Sequence, residues 1–302
     1  LSNTKQNLIV VTGPTGSGKT KLAIKLALHY GCEIISADSR QVYKELKIGS
    51  AAPDSNELSQ VRHHFIASHS IQEDFNAGIF EQGASKLLET LFQKNNTQVI
   101  CGGSGLYIKA LLEGLDEFPD IDPEIRKKLN QTFETEGISS LQAYLKEVDF
   151  EYYQSVDLNN HRRIIRALEV YETSGKAYSS FKKTSKAINN YQAIIIATDL
   201  PRAELYDKIN QRTLHMLDAG WINECQDLLP FKNINALKTL GYKEIFEYLE
   251  GKTSHEECIN QIQQNTRRYA KMQMTFIRNQ LQAYYFHPEK TEEILAFLKA
   301  KI

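Results

Sequence analysis

The stretch Leu8-Ile9-Val10-Val11-Thr12-Gly13-Pro14-Thr15-Gly16-Ser17-Gly18-Lys19-Thr20 decides the fold. Four apolar, largely β-branched residues that run straight into glycines read as a buried parallel strand. Behind them, Gly13 to Thr20 fits the phosphate-loop pattern GxxxxGK[ST] in full, with a helix-forming stretch next in line. Glycines let the backbone curl until its N–H groups converge on phosphate oxygens. The helix start adds the positive end of its dipole. Lys19 supplies a mobile positive charge, and Thr20 offers a hydroxyl to Mg²⁺. Gly13, Pro14, Thr15, Gly16, Ser17, Gly18, Lys19 and Thr20 are therefore expected to hold a di- or polyphosphate, with Mg²⁺ as cofactor and Thr20 as its protein ligand. The same motif serves ATP-binding proteins, so the loop alone does not say whether the phosphate belongs to a nucleotide.

Working outward, strands are expected over residues 8–12, 33–37 and 98–101, separated by helices over 19–30 and 77–94. Strand, helix, strand, helix, strand implies parallel pairing with right-handed crossovers. From about residue 116 the character changes: Pro119 and Pro123 interrupt the chain, and helix-rich polar stretches follow at 123–136, 139–148 and 160–174. The apolar run Ala193-Ile194-Ile195-Ile196 returns to the sheet, and helices at 203–218 and 257–281 dominate the remainder. The expected architecture is α/β: a P-loop NTPase-like parallel sheet core (residues 1–115 and 190–302) carrying a mainly α-helical insertion domain (residues 116–189).

An NTP-hydrolysing phosphate-loop protein usually places a Mg²⁺-binding Asp at the end of a neighbouring strand. Here the third strand ends in Gly102-Gly103-Ser104-Gly105, and the strand-terminal acid is Asp38, in Ser36-Ala37-Asp38-Ser39-Arg40. Ligands of doubly wound sheets bind off the carboxyl ends of the strands. Asp38 and Ser104 should thus lie near the phosphate, where a carboxylate holds metal, takes a proton from an acceptor, or simply caps a helix.

The 302 residues carry a formal net charge of −1, which by itself suggests no polyanionic partner. The charges are segregated, however. Residues 173–198 contain no acid but hold Lys176, Lys182, Lys183 and Lys186; residues 258–288 contain no acid but hold Arg267, Arg268, Lys271 and Arg278. Such blocks can make a basic face on a neutral protein. At 100° per residue Arg267, Lys271 and Arg278 fall within about 40° of one another, enough for a stripe. Tyr178, Phe181 and Tyr269 stand near these blocks as stacking platforms or core residues, with core favoured for Tyr269. His63 and His64 point to different faces of any regular element, which favours structural roles, and His161 is expected to cap the arginine-bearing helix. The four cysteines form no CxxC pair, so zinc and a disulfide framework are not expected. No apolar run reaches membrane-spanning length and no signal-peptide layout is present, so a cytoplasmic, membrane-free protein is expected. Nothing in the sequence calls for an obligate oligomer, and a monomer is the expected state.

Beyond the loop, Ser36-Ala-Asp-Ser-Arg-Gln-Val-Tyr43, Ile48-Gly-Ser-Ala-Ala-Pro53, Val61-Arg-His-His64, Gly102-Gly-Ser-Gly-Leu-Tyr107, Leu111-Leu-Glu-Gly114, Arg163-Ile-Ile-Arg-Ala-Leu-Glu-Val170, Leu240-Gly-Tyr-Lys243 and Thr266-Arg-Arg-Tyr-Ala-Lys271 follow in order. Together they resemble the tRNA dimethylallyltransferase (tRNA isopentenyltransferase) family along nearly the whole chain. With no zinc-finger extension in the sequence, the resemblance is to the bacterial type. The resemblance implies transfer of a dimethylallyl group from dimethylallyl diphosphate to N6 of the adenosine 3′-adjacent to the anticodon. It implies that the loop takes the diphosphate, and that the insertion grips the tRNA anticodon stem-loop. A flipped adenine fits the physics, because the exocyclic amine of a stacked base is out of a buried electrophile's reach. By the same resemblance Asp38 is the base for the amine and Ser104, usually Thr, hydrogen-bonds the donor's bridging oxygen. Lys19 works with them at the reacting centre. Asp38, Ser39, Arg40, Gln41, Ser104, Arg126, Arg162, Arg163, Ile164, Ile165 and Arg166 fall at tRNA-contact positions. Arg267, Lys271 and Arg278 join them through the stripe argument, and Arg212 and Lys243 are further diphosphate candidates. Ala52 and Met272 stand where the family more often has Lys and Arg. Three alternatives remain open: a P-loop kinase, an isopentenyltransferase acting on free adenine nucleotides, and a non-enzymatic RNA-binding P-loop protein.

Overall fold

The computed structural model describes residues 5–116, 118–181 and 190–302. Along the chain lie β1 (Gln6–Thr12), α1 (Lys19–Tyr30), β2 (Ile34–Ser36), α2 (Ser55–Gln60), β3 (His63–His64), α3 (Ala77–Phe92), β4 (Thr97–Cys101) and α4 (Gly105–Glu113). Next come α5 (Pro123–Glu136), α6 (Ile138–Val148), α7 (Phe150–Ser155) and α8 (His161–Ser174). The chain closes with β5 (Tyr191–Thr198), α9 (Arg202–Asp218), α10 (Trp221–Leu228), α11 (Tyr242–Leu249), α12 (His255–Gln280), β6 (Ala283–Phe286) and α13 (Thr291–Lys299). The residues separate into two compact units, Leu1–Glu113 with Ile188–Ile302, and Gly114–Ala187.

The first unit is a six-stranded parallel sheet in the order β3-β2-β4-β1-β5-β6. Leu8, Ile9, Val10 and Val11 of β1 are completely buried. A strand alternates its side chains between two faces. Leu8 and Val10 accordingly join Phe80, Leu88, Ile108 and Ile277 on one side, whereas Ile9 and Val11 join Leu22, Leu26, Ile294 and Leu298 on the other. This two-sided burial is why β1 reads as an unbroken apolar run. Each such side chain contributes about 1.5–3 kcal/mol by leaving water. β6 was not expected from the sequence. Its Ala283-Tyr-Tyr-Phe286 run is short, sits at the sheet edge and directly follows the long α12, so helix periodicity masks it.

The second unit packs α5, α6 and α8 around Leu129, Leu141, Leu145, Ile164, Ile165 and Leu168. α5 starts where Asp122 accepts from Glu124 N–H and Pro123 takes the first turn, whose N–H has no helical partner. α8 begins at Asn160, whose side chain accepts from Arg163 N–H, and ends at the left-handed Gly175. Asn160, not the expected His161, is therefore the cap; His161 stacks on Phe133. Lys182, Lys183 and Lys186 of the first basic block lie outside the described residues.

Candidate active site

The carboxyl ends of β1, β2, β4 and β5 deliver Gly13, Asp38, Gly102 and Asp199 to one edge of the sheet. Gly13 is extended into a positive φ of 144°, and a Cβ there would overlap the Thr198 hydroxyl. Only glycine lets the loop leave β1 so close to β5. Inside the loop the Ser17 hydroxyl donates to the Pro14 carbonyl at 2.7 Å and pairs with the Thr198 hydroxyl. Lys19 Nζ donates to the same Pro14 carbonyl at 2.8 Å. Burial holds the Lys19 ammonium down at about 8; among the nearby charges, Cys101 and Asp38 raise it and Arg212 lowers it. Arg212 of α9 donates to the Thr15 hydroxyl at 3.2 Å, and burial lowers its pKa while the Asp38 charge pulls the other way. Lys19, Arg212 and Asp38 thus form one electrostatic group at the loop.

Asp38 Oδ1 accepts from Arg40 N–H at 2.8 Å and from Gln41 N–H at 3.3 Å, which fixes the carboxylate at the start of the turn. Ser104 Oγ accepts from Ser39 N–H at 3.0 Å, so the segment after β4 and the segment after β2 are joined beside the carboxylate. Arg40 donates to the Thr239 hydroxyl, and Gln41 donates to the Ala51 carbonyl while accepting from Ser36. The structure thereby brings together Lys19, Asp38, Ser39, Arg40, Gln41, Ser104 and Arg212.

Gln273 of α12 was missed by the sequence reading. It is 8% exposed. Its Oε1 accepts from Thr15 N–H at 2.8 Å, and its Nε2 donates to the Gly103 carbonyl at 3.0 Å. One amide therefore spans the phosphate loop and the Gly102–Ser104 segment. A Cβ on Gly103 would run into that amide nitrogen, so a larger residue there would displace the Gln273 side chain. The sequence signal was present but indirect: a neutral amide in the part of α12 from Cys258 onward, which carries basic residues and no acid.

Several expected positions come out differently. Ile164 and Ile165 are 0% and 5% exposed inside the second unit's core, so their side chains cannot meet a surface ligand. The α8 register turns them inward while Arg162 and Arg163 stay exposed. Arg126 Nη2 donates at 2.9 Å to Glu169, whose side chain is fully buried and also takes Arg166 Nη1 at 3.4 Å. Burial of that carboxylate demands a paired charge, so Arg126 serves the helix packing first. Lys243 is largely exposed with its ammonium 3.9 Å from Glu247, and no described contact joins it to the loop. Within the α12 stripe, Arg267 donates to Asn210 at 2.7 Å and lies over the Tyr206 ring, which ties it to α9, whereas Arg278 is exposed and faces Asp199 at 3.9 Å. Tyr269 is not a core residue: it is 37% exposed, and its phenol is pushed up by burial and then by the Asp38 charge. Met272 is exposed on the same helix.

Among the described residues no group of three or more His, Cys, Asp or Glu is arranged to hold a metal ion, and no helix is long and apolar enough to cross a membrane. The four cysteines are free thiols.

Residues 41–280 match the family described as IPP transferase. The chain is 46% identical to a tRNA dimethylallyltransferase of Cytophaga hutchinsonii over 98% of this chain and 97% of that protein. It is 47% identical to one of Christiangramia forsetii over 98% of both. The crystal structure of the full-length tRNA isopentenylpyrophosphate transferase of Bacillus halodurans superposes with a TM-score of 0.73 at 31% identity, covering 98% of this chain and 97% of that one. A eukaryotic dimethylallyltransferase shares the fold at a TM-score of 0.80 and 24% identity, over 94% of this chain and 74% of that one. With a loop-and-strand-edge site of this construction and relatives matched from end to end, the chain belongs to the IPP transferase family.

Proposed function

We propose that the chain transfers a dimethylallyl group from dimethylallyl diphosphate to N6 of the adenosine 3′-adjacent to the anticodon in tRNA and releases diphosphate. One observation carries this reading. The phosphate loop with Lys19 and Arg212 faces a fixed carboxylate, Asp38, that is tied through Ser39 to the Ser104 hydroxyl. An anion site and a proton acceptor stand side by side. The relatives named tRNA dimethylallyltransferase support the substrate pair.

In the reaction the C–O bond to the bridging oxygen breaks and the diphosphate leaves with the electron pair. An N–C bond forms at N6, and the amine proton passes to Asp38. The allylic cation is delocalised, so catalysis mainly requires stabilising the charge that builds on the departing oxygens. Lys19 would exchange the Pro14 carbonyl for phosphate oxygens, with loop N–H groups and Arg212 beside it. Ser104 would donate to the bridging oxygen while it still accepts from Ser39 N–H. The N6 lone pair is conjugated with the ring, so Asp38 acts by orienting the amine and taking the proton late, as the new bond forms.

Mg²⁺ fits the donor set. Thr20 supplies a hydroxyl and no carboxylate cage competes among the described residues, which suits an ion that takes most of its ligands from diphosphate and water. When bound, it would add positive charge to the leaving group. Arg162 and Arg163 are exposed on α8, and in this reading they meet RNA phosphates and the protein works on its tRNA in the cytoplasm.

The test is a donor assay with purified protein, unmodified tRNA, Mg²⁺ and dimethylallyl diphosphate, followed by mass spectrometry of the nucleosides. Gain of one C5H8 unit on adenosine in tRNA, absent with AMP as acceptor, is the expected result. Transfer to AMP would assign the chain to free nucleotides. Consumption of ATP with a small acceptor would assign it to the kinases.

A further inference from the structure

Glu224 of α10 takes no part in the site described above, yet its carboxylate gathers two segments that do support it. Oε2 accepts from Lys47 N–H at 2.9 Å and from Ile48 N–H at 2.7 Å. Oε1 accepts from Gly49 N–H at 3.0 Å and from the Tyr242 hydroxyl at 2.6 Å. Successive backbone N–H groups turned to one side make an anion-binding concavity. Here the anion that fills it is a side chain of the same chain. The approach is close, because a Cβ on Gly49 would run into the Trp221 indole nitrogen and the Tyr242 phenol. Residues 47–49 therefore lie directly against α10 and the start of α11.

Two routes lead from this carboxylate to Asp38. Along the first, Ala51 N–H donates to the Ile48 carbonyl at 2.8 Å, and the Ala51 carbonyl accepts from Gln41 Nε2 at 3.0 Å. Ala51 holds a φ of 46°, a left-handed conformation that a non-glycine residue keeps only where its surroundings impose it. Along the second, Tyr242 opens α11 three residues after Thr239, whose hydroxyl accepts from Arg40 Nε at 3.0 Å. Gln41 and Arg40 are the residues whose N–H groups hold Asp38 Oδ1. Both side-chain anchors of that turn thus trace back to one carboxylate.

We propose that Glu224 is a positioning residue for Asp38: through residues 47–51 and through the start of α11 it fixes the turn that aims the carboxylate at the adenosine amine. The inference rests on the reaction proposed above and deepens it. None of the four hydrogen bonds at Glu224 goes to the phosphate loop, so the diphosphate site should not feel its loss. A carboxylate only accepts, whereas a glutamine amide has one accepting oxygen and a nitrogen that donates. Glu224→Gln accordingly keeps the size of the side chain and leaves at least one of the backbone N–H groups without its partner.

The experiment measures steady-state transfer by the full chain, with tRNA and dimethylallyl diphosphate varied in turn, beside the melting temperature of each variant. Glu224→Gln is expected to lower kcat about tenfold, as a slightly displaced catalytic group does, and to leave the KM for dimethylallyl diphosphate within about twofold. In an Asp38→Ala background the same substitution should change kcat by less than about twofold, because the group it positions is gone. Tyr242→Phe keeps the buried ring, removes a single hydrogen bond from Glu224 and should show the same pattern at about threefold, which carries the test if Glu224→Gln does not fold. Losses that multiply in full in the Asp38→Ala background, or a lowered melting temperature with kcat unchanged, would make Glu224 a purely structural residue and overturn the inference. A higher KM for tRNA with kcat unchanged would overturn it as well, since the turn would then serve tRNA binding alone. A wild type that transfers nothing to tRNA would overturn the proposed reaction itself, and the positioning role with it.

Discussion

The two units of this chain handle charge in opposite ways. At the strand ends, positive charge is half-hidden and awaits an anion: Lys19 rests on a backbone carbonyl and Arg212 on a hydroxyl, with no carboxylate bonded to either among the described residues. In the helical unit the carboxylates are the buried partners: Glu169 is enclosed by Arg126 and Arg166, and Asp149 by hydrogen bonds from Tyr152 and Ser179. The first arrangement stores unsatisfied affinity for a ligand. The second uses ionic and polar contacts to fix helices, with Arg162 and Arg163 exposed at its surface. A basic residue therefore means different things in the two places, and residue type alone does not say which.

The comparison breaks first at Asp38. If the strand-end unit holds the chemistry, Asp38→Ala should lower kcat by at least a hundredfold with unmodified tRNA and dimethylallyl diphosphate, the range of a lost acid–base group. A loss below about tenfold would remove the base assignment. Gln273→Ala comes next. It frees Thr15 N–H and the Gly103 carbonyl inside a buried seam, and such orphaned groups cost about 1–3 kcal/mol. We expect kcat/KM for the donor to fall roughly tenfold to a hundredfold, with tRNA affinity held within twofold. Equal losses in donor kinetics and tRNA affinity would mark Gln273 as a general packing residue.

A pH profile sharpens the same contrast. Lys19 sits at about 8 because burial disfavours its ammonium form. Its protonated form is the one that binds diphosphate. The free enzyme should lose donor kcat/KM as pH rises through about 8, by up to tenfold per unit, and Lys19→Met should lack that limb. Stability moves the other way. The unfolded chain holds the Lys19 proton up to its ordinary value near 10.5, so between about 8 and that value it binds more protons than the native state and this group's contribution to stability rises with pH. Activity and stability that declined together across this range would indicate global unfolding in place of titration at the loop.

How much of this was legible in the sequence follows from the same physics. The loop, the first strand and Asp38 could be read because they depend on backbone requirements, and glycine spacing states those directly. The helices of the second unit could be read from their apolar faces, with α5 over Pro123–Glu136 as expected. What could not be read was pairing. Arg126 belongs to Glu169 across 43 residues, and Gln273 reaches Thr15 across 258. Ile164 and Ile165 sit among arginines in sequence but point inward, because a helix turns successive residues about 100° apart. Tyr269 was misjudged for the same reason: its position on α12 is periodic, but which neighbour meets it is a tertiary fact.

The smallest expected effect is at Lys243, and it tests whether the strand-end unit is as selective about its cations as the contacts imply. Lys243 and Arg212 were equal candidates by residue type. Arg212 reaches the loop at the Thr15 hydroxyl, whereas Lys243 stays 72% exposed beside Glu247 one helical turn on. An exposed pair of that kind contributes little to stability, because water and salt screen it. Lys243→Ala should therefore leave the melting temperature and the donor KM within error to twofold, while Arg212→Ala should raise the donor KM several-fold. A Lys243→Ala enzyme with a tenfold higher donor KM would mean that α11 delivers this ammonium to the diphosphate when substrate binds, and the division between waiting and spent cations would have to be redrawn around a moving helix.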